Sequence, residues 1–298
     1  MSEIVLTGLD GSNPLGFLAG LGVLEALAGR GSPARLSWHN KGGWRAVVLG
    51  LGTSLEDLVT LLDEDRAACA SEPALALEHD GKQDLKPSPA RFAEYLRGLV
   101  AASDPRTRRG VDWAGAFGSD VVQDNNGNTK PTALHFTAGQ QQFLKMVQDL
   151  VTGTTRDDLS EALVGPWTYS RELPVMGWDA TASRDWALRA SNPSKEKKTG
   201  VPGADWLAIR GLASLPVAPR GSRLYTTGCE GGWKFGTFRW ALWSVPLDLD
   251  MARSATRLAL AHMPVAEREA RGLGVVFACG IKRSDQGGYG GFEPAQVV

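Results

Sequence analysis

The sequence predicts an α+β protein in which helices pack on a mixed or antiparallel sheet, as one large domain or two closely packed domains. Helix-start signals with apolar periodicity recur through the first half of the chain, whereas β-rich segments and tryptophans mark the second half. No internal repeat is evident. We therefore predict a helix-rich half over residues 1–150 and a half rich in strands and tryptophan over 151–298. The sequence leaves open whether they share one core.

The overall composition excludes several classes of protein. The chain has 298 residues, 32 Lys and Arg, 33 Asp and Glu, and a net charge of −1. The sequence has no stretch of 18 apolar residues, so it predicts no membrane span. The start of the chain has no basic segment typical of a secretory signal. Three widely spaced cysteines favour a reducing cytoplasm over a disulfide framework. Because the charge is balanced, any binding of nucleic acid requires local basic patches.

The first elements are a strand over residues 3–7 and a helix over 14–29. Asn13 is a favourable N-cap, and Pro14 occupies the first helical position, where proline is tolerated. Gly29 suits the C-terminal end of this helix. Gly16 and Gly20 are four residues apart and share one helix face, so we expect another element to approach that face at backbone distance.

The remaining elements follow from turn and cap signals. In the first half, the pattern predicts a hairpin over 35–51, helices over 54–65 and 88–102, a strand over 111–122, a helix from a Thr137/Gln140 capping box to about Val151, and a helix over 155–163. In the second half, it predicts β-structure over 224–247, helical segments over 250–271 and a buried final strand over 272–283.

Catalytic machinery is hard to identify in this sequence. The four histidines are isolated, and no metalloprotease, serine-hydrolase or P-loop motif is present. We therefore predict no cofactor and no catalytic residue. One alternative is a metal-dependent nuclease or phosphoesterase that uses some of Asp112, Asp120, Asp124 and His135.

Three basic segments and one aromatic residue favour contact with a nucleic-acid backbone. Mobile cations in turns can replace the counterions of phosphates, and an exposed aromatic ring can stack on a base. The predicted contacts are Arg184, Arg189, Lys195, Lys197 and Lys198 in one loop, Arg106, Arg108 and Arg109 in a turn, Lys282 and Arg283 at the end of the final strand, and Trp233 with Lys234 in the glycine-rich β-segment.

Three stretches of the chain resemble CRISPR-associated proteins. TGLDGSNPLGFLAGLGVLEALAG (7–29) resembles the N-terminal signature of large-subunit-type proteins in type I-G systems, formerly called type I-U. WDATASRDWALRASNPS (178–194) and LPVAPRGSRLYTTG (215–228) are similar to further patterns of related proteins. The chain is much shorter than typical large subunits, and it has Asp10-Gly11-Ser12 where their opening motif commonly has a cysteine beside the first proline.

The resemblance implies a cytoplasmic antiviral role in an RNA-guided effector complex. On that basis the chain is a non-enzymatic subunit that binds CRISPR RNA or target DNA together with other CRISPR-associated subunits, and no membrane. A second alternative stays open beside the nuclease: a protein-interaction module without nucleic-acid binding, built on the glycine-rich helix over 14–28.

Overall fold

The computed structural model describes residues 3–52, 54–104, 108–181, 199–283 and 290–298. It confirms the α+β fold class, with antiparallel pairing for every strand pair of the described residues. The helices are α1 (Pro14–Gly29), α2 (Leu55–Cys69), α3 (Pro89–Ala102), α4 (Arg109–Phe117), α5 (Phe143–Gly153), α6 (Arg156–Val164), α7 (Pro202–Gly211), α8 (Leu249–Thr256) and α9 (Val265–Ala270). In these ranges no helix has both the length and the apolar character needed to cross a membrane.

The strands form two sheets and two separate hairpins. They are β1 (Glu3–Asp10), β2 (Arg35–Asn40), β3 (Trp44–Leu49), β4 (Gly118–Gln123), β5 (Thr129–Pro131), β6 (Val217–Arg220), β7 (Arg223–Thr226), β8 (Cys229–Gly231), β9 (Phe235–Trp243), β10 (Leu273–Arg283), β11 (Gly290–Phe292) and β12 (Gln296–Val297). A small sheet has the order β1-β3-β2, and a larger sheet has the order β11-β10-β9-β8, with β12 also on β10. β4 pairs with β5, and β6 pairs with β7.

Helix α1 lies at the centre of the protein. Asn13 accepts a hydrogen bond from the backbone N–H of Leu15, and Pro14 occupies the first turn, so the predicted N-terminus is confirmed. Every residue of α1 from Pro14 to Leu27 is buried. A helix that is apolar on all sides needs neighbours all round, and α1 contacts α7, β1, α2, α8 and β2.

Glycines allow the chain to approach α1 at backbone distance, as predicted. A Cβ atom on Gly22 would lie 1.7 Å from the carbonyl oxygen of Leu207 in α7, and one on Gly211 would lie 2.2 Å from that of Leu18. The predicted face is also occupied by the chain itself: Gly16 faces the backbone of Asp10, and Gly20 faces a tryptophan ring of β2. The close contact between α1 and α7 therefore requires glycine on both helices.

An aromatic cluster connects α1 to both sheets. Phe17 has ring contacts with Trp38 of β2 and with Trp240 and Trp243 of β9, at centroid distances of 6.0, 5.9 and 6.1 Å. The indole N–H of Trp240 donates to the carbonyl of Gly11 at 2.8 Å, and that of Trp243 donates to the carbonyl of a β2 residue. Residues of both predicted halves therefore belong to one hydrophobic cluster.

Three local predictions differ from the structure. Residues 111–117 belong to helix α4 rather than a strand, because the buried residues Gly110, Trp113, Ala114 and Phe117 recur at helical spacing. The Thr137/Gln140 capping box does not form: Thr137 contacts His135, and α5 begins at Phe143. Helix α7 was not predicted, although all of its residues are buried.

Buried charges link α7 and α1 to the surrounding helices. Arg210 of α7 pairs with Asp65 of α2, with Nε 2.8 Å from Oδ2, and also donates to the backbone carbonyl of Glu25 in α1. The carboxylate of Glu25 binds Arg253 of α8 and accepts a hydrogen bond from Ser214. Each buried charge is thus paired, as burial in a low dielectric requires.

Asp205 of α7 is buried in a different setting. Its carboxylate accepts a hydrogen bond from the backbone N–H of Met176 at 3.2 Å. Burial, together with the charge of Asp179, raises the pKa of Asp205 to about 8, although the hydrogen bond from Met176 opposes this shift. The carboxyl group is therefore largely protonated at neutral pH in the folded protein, whereas it is ionised in the unfolded chain.

We expect Gly22→Ala to lower the free energy of unfolding by more than about 3 kcal/mol, because a backbone carbonyl lies where the methyl group must go. Gly98→Ala in α3 is the matched control: its Cβ meets open space, so it should raise the free energy of unfolding by up to about 1 kcal/mol. Urea denaturation measures both. Equal effects of the two substitutions would contradict the close packing of α1 on α7.

We expect Asp205→Asn to stabilise the protein at high pH and not at low pH. The raised pKa of Asp205 means that stability is lost as the pH rises from about 4 to about 8, and asparagine does not ionise. The variant should therefore exceed the wild type by roughly 3–6 kcal/mol at pH 8, and the two should converge near pH 4.

Asp57 is a control of opposite sign for this measurement. Hydrogen bonds from Ser54 lower the pKa of Asp57, so Asp57→Asn should be less stable than the wild type at neutral pH. Chemical denaturation at several pH values gives both curves. A difference between Asp205→Asn and the wild type that does not vary with pH would contradict the protonation of Asp205.

Candidate nucleic-acid interface

The structure divides the predicted nucleic-acid contacts into three groups. One group lies outside the described residues: Arg106, Arg184, Arg189, Lys195, Lys197 and Lys198. A second group, Arg108 and Arg109, stands at the start of α4. The third group, Trp233, Lys234, Lys282 and Arg283, stands at one end of the larger sheet, where β8 leads into β9 and β10 ends. The structure thus joins two segments that are about 50 residues apart in the sequence.

Arg108 and Arg109 bind carboxylates of the protein itself. Arg108 donates from Nη2 and Nε to Asp112 one helical turn away, at 2.8 and 3.1 Å. Arg109 lies 2.9 Å from Glu72 and 3.6 Å from Asp65, the buried partner of α7. The charge of this turn is therefore largely balanced within the protein, although 63% of the Arg108 side chain is exposed.

Arg283 is a buried clamp at the end of β10. Its residue is 5% exposed, and its guanidinium donates to three backbone carbonyls, those of Trp233, Ala133 and His135. Burial lowers the pKa of Arg283 to about 10, so the group stays charged at neutral pH. The three bonds fix the β8–β9 connection against the segment that follows β5.

Trp233 packs on this clamp with its ring. The guanidinium carbon of Arg283 lies 3.8 Å from the Trp233 ring centroid, and Lys130 Nζ of β5 lies 5.9 Å from it. Trp233 is half-buried. The ring is thus engaged by two cations of the protein, and its contribution to the surface is to hold the residues that follow it.

Phe235 is the exposed aromatic residue of this surface. It is 68% exposed, and it stands directly opposite Lys282 in the β9–β10 register. Directly opposed residues of an antiparallel pair share one face, so the two side chains are neighbours. Lys234 Nζ lies 5.6 Å from the Phe235 ring centroid. We name the surface of Lys234, Phe235 and Lys282 the hairpin platform.

Among the described residues, carboxylates stand on the same face farther from this end of the sheet. Farther along the same face, Glu230 of β8 pairs with Arg239 at 3.7 Å, and the carboxylate of Glu293 lies against Gly280. Phe235 and Lys130 were not predicted from the sequence. In β9, Phe235 alternates in phase with the polar residues Thr237 and Arg239, which was a usable signal, whereas Lys130 reaches the Trp233 ring only through tertiary packing.

The carboxylates of the nuclease alternative lie in different surroundings. Asp112 is held between Arg108 and Arg253, the latter at 2.9 Å. Asp124 accepts hydrogen bonds from two backbone N–H groups of the β4–β5 turn, and Asp120 lies within β4. Across the described part of the chain, no group of three or more His, Cys, Asp or Glu side chains is arranged to hold a metal ion.

His135, the fourth residue of that alternative, is buried in the core. It stacks on Phe143 with a centroid distance of 5.4 Å, and its Nε2 lies 3.3 Å from Asp84 and 2.9 Å from Thr137. Burial lowers the pKa of His135, which favours a neutral ring at pH 7. Burial would raise the pKa of Asp84, but the hydrogen bond with His135 and backbone N–H bonds bring it to about 2. This pair fixes the segment that also accepts hydrogen bonds from Arg283.

No protein-family model matches the chain, and a search of curated proteins also gives no match. The resemblance to type I-G CRISPR proteins therefore depends on the three sequence stretches alone. The first of them, residues 7–29, folds as the end of β1, a turn and the glycine-rich helix α1. The third, residues 215–228, contains the β6–β7 hairpin. The second extends beyond residue 181, where the described residues are interrupted.

We expect Arg283→Gln to destabilise the protein and Lys282→Gln to leave its stability unchanged. Loss of the Arg283 guanidinium leaves three backbone carbonyls without their donor, at a cost of about 3 kcal/mol or more. Lys282 is exposed, and exposed charges contribute little. Thermal and urea denaturation measure the stability of both variants. Equal stability of the two variants would contradict the role of Arg283 as a clamp.

Proposed function

We propose that this chain is a non-enzymatic subunit of a CRISPR RNA-guided effector complex and that it binds single-stranded nucleic acid on the hairpin platform. The observation that carries the proposal is the exposed ring of Phe235, which is flanked by Lys234 and Lys282 on a rigidly held strand end. The resemblance of residues 7–29 and 215–228 to type I-G proteins supplies the biological setting.

This set of side chains suits a single strand. An aromatic ring stacks on any unpaired base, and lysines beside it neutralise phosphates without reading sequence. A duplex keeps its bases stacked on each other, so the ring of Phe235 has no partner there. The platform should therefore prefer single-stranded RNA or DNA to a duplex of the same sequence.

The small number of cations argues for action within a complex. The net charge of the chain is −1, and the platform offers two lysines. Alone, such a surface binds weakly and with strong salt dependence. In an RNA-guided complex, base pairing with the guide reads the sequence while subunits bind the backbone and each other. A weak platform is sufficient for one subunit among several.

We expect Phe235→Ala to weaken the binding of a fluorescent 20-nucleotide single strand about fivefold or more, because one base loses its stacking partner. Lys282→Gln should make the negative slope of log K against log salt less steep by about 0.7, the value for one phosphate contact on a single strand. Met251→Ala removes another exposed large apolar side chain, from α8, and serves as the control. Fluorescence anisotropy at several NaCl concentrations measures all four proteins.

Two results would contradict the proposal. The first is wild-type protein that binds neither single-stranded RNA nor DNA at low salt. The second is a Phe235→Ala variant that binds as tightly as Met251→Ala. Purification of the tagged protein from its native host tests the setting: we expect CRISPR-associated subunits and guide RNA to co-purify, and their absence would leave a nucleic-acid-binding protein without the proposed complex.

A further inference from the structure

The β6–β7 hairpin carries two arginines at its tip. Arg220 ends β6 and Arg223 begins β7, and the register places them directly opposite each other. Gly221 has φ +59°, the conformation that glycine supplies at the first position of a two-residue hairpin turn. Both arginines are exposed.

The two arginines share one face of the hairpin with an aromatic residue. Ala218 is opposite Tyr225 in the register, two positions from the arginines, and side chains two positions apart in a strand share a face. Tyr225 is 43% exposed. Thr226, on the other face, is buried and bonds the N–H of Ala133 at 2.8 Å. The hairpin is thus anchored by one face and presents the other.

The arginine pair lacks a carboxylate partner among the residues that the structure describes. Like charges directly opposite across a strand pair repel and destabilise the hairpin. The segment 215–228 contains no Asp or Glu, and within the described residues no carboxylate forms an ion pair with Arg220 or Arg223. Arg108 and Arg109, in contrast, are both paired. A pair of arginines that is left uncompensated favours an external anion.

We infer that Arg220 and Arg223 bind backbone phosphates of a single-stranded nucleic acid and that Tyr225 stacks on one of its bases. A guanidinium forms two parallel charge-assisted hydrogen bonds with a phosphate, which suits this role better than an ammonium group. We name the set of Arg220, Arg223 and Tyr225 the arginine fork. Since its ligand is the strand bound on the hairpin platform, this inference depends on the proposed function.

The fork stands beside the elements that lead to the platform. β7 continues into β8 through two residues, and β8 leads to Trp233. β7 contacts β8, and β4 contacts both β6 and β7 while it pairs with β5, which carries Lys130. Since Lys130 of β5 lies over the Trp233 ring, the fork and the platform are connected through adjacent elements, and the inference places one extended strand of nucleic acid on both.

Salt-dependent binding tests the fork. The double variant Arg220→Gln/Arg223→Gln should make the negative slope of log K against log salt less steep by about 1.4 for both a 20-nucleotide RNA and the matching DNA, because two phosphate contacts are lost. Arg35→Gln/Arg257→Gln removes the same charge from two other exposed positions and should leave the slope unchanged. Tyr225→Ser should weaken binding about fivefold or more with an unchanged slope, since stacking is not ionic.

A melting curve separates binding from folding. Because the variant relieves like-charge repulsion, Arg220→Gln/Arg223→Gln should melt at or above the temperature of the wild type. A lower melting temperature would make the arginines structural and overturn the inference. So would a slope equal to that of the control pair while Phe235→Ala still weakens binding, which leaves the proposed function intact.

Two further outcomes would contradict the inference about the arginine fork. No binding by the wild-type protein removes the proposed function and the fork together. An unchanged salt slope with loss of a co-purifying subunit would assign the arginines to an acidic protein surface instead.

Discussion

The contact between α1 and α7 is the constraint on which the rest of the structure depends. Gly22 and Gly211 let each helix meet a carbonyl of the other, and any side chain there would separate them. Both helices are consequently enclosed, so β1, β2, α2, α6 and α8 are arranged as their cover. Polar groups on enclosed helices need partners inside the protein. For this reason Glu25 of α1 pairs with Arg253 of α8, and Arg210 of α7 pairs with Asp65 of α2.

That internal pairing also determines which basic residues remain available to a ligand. Asp65, bound by Arg210 of α7, also attracts Arg109, and Asp112 is bound by both Arg108 and Arg253. The basic turn before α4 is therefore largely neutralised by the same network that stabilises the helix pair. The end of the larger sheet lies outside this network, and its lysines remain at the surface.

Local signals predicted the parts of the fold that depend on local interactions. The caps at Asn13 and Ser54 form as expected because a cap involves residues two or three positions apart. Helix α7 was missed because PGADWLAIRG contains charged residues that normally indicate a surface, and only the tertiary pairing of Arg210 permits its burial. Prediction of the site is limited for the same reason. The local sequence identified Arg283 and Trp233 separately, but it could not predict their contact, because they are 50 positions apart.

Burial gives two neighbouring cations different functions on this surface. Arg283 uses its charge on three backbone carbonyls, and it thereby fixes the connection that carries Trp233 and leads to Phe235. Because that connection is already ordered, a base that stacks on Phe235 meets a surface with little backbone entropy left to lose. Lys282, one residue earlier, is exposed and keeps its charge at the surface. An ordered ring beside exposed lysines suits a ligand whose backbone is bound here and whose sequence is recognised elsewhere, and for this reason we propose a subunit rather than an independent sequence-specific binder.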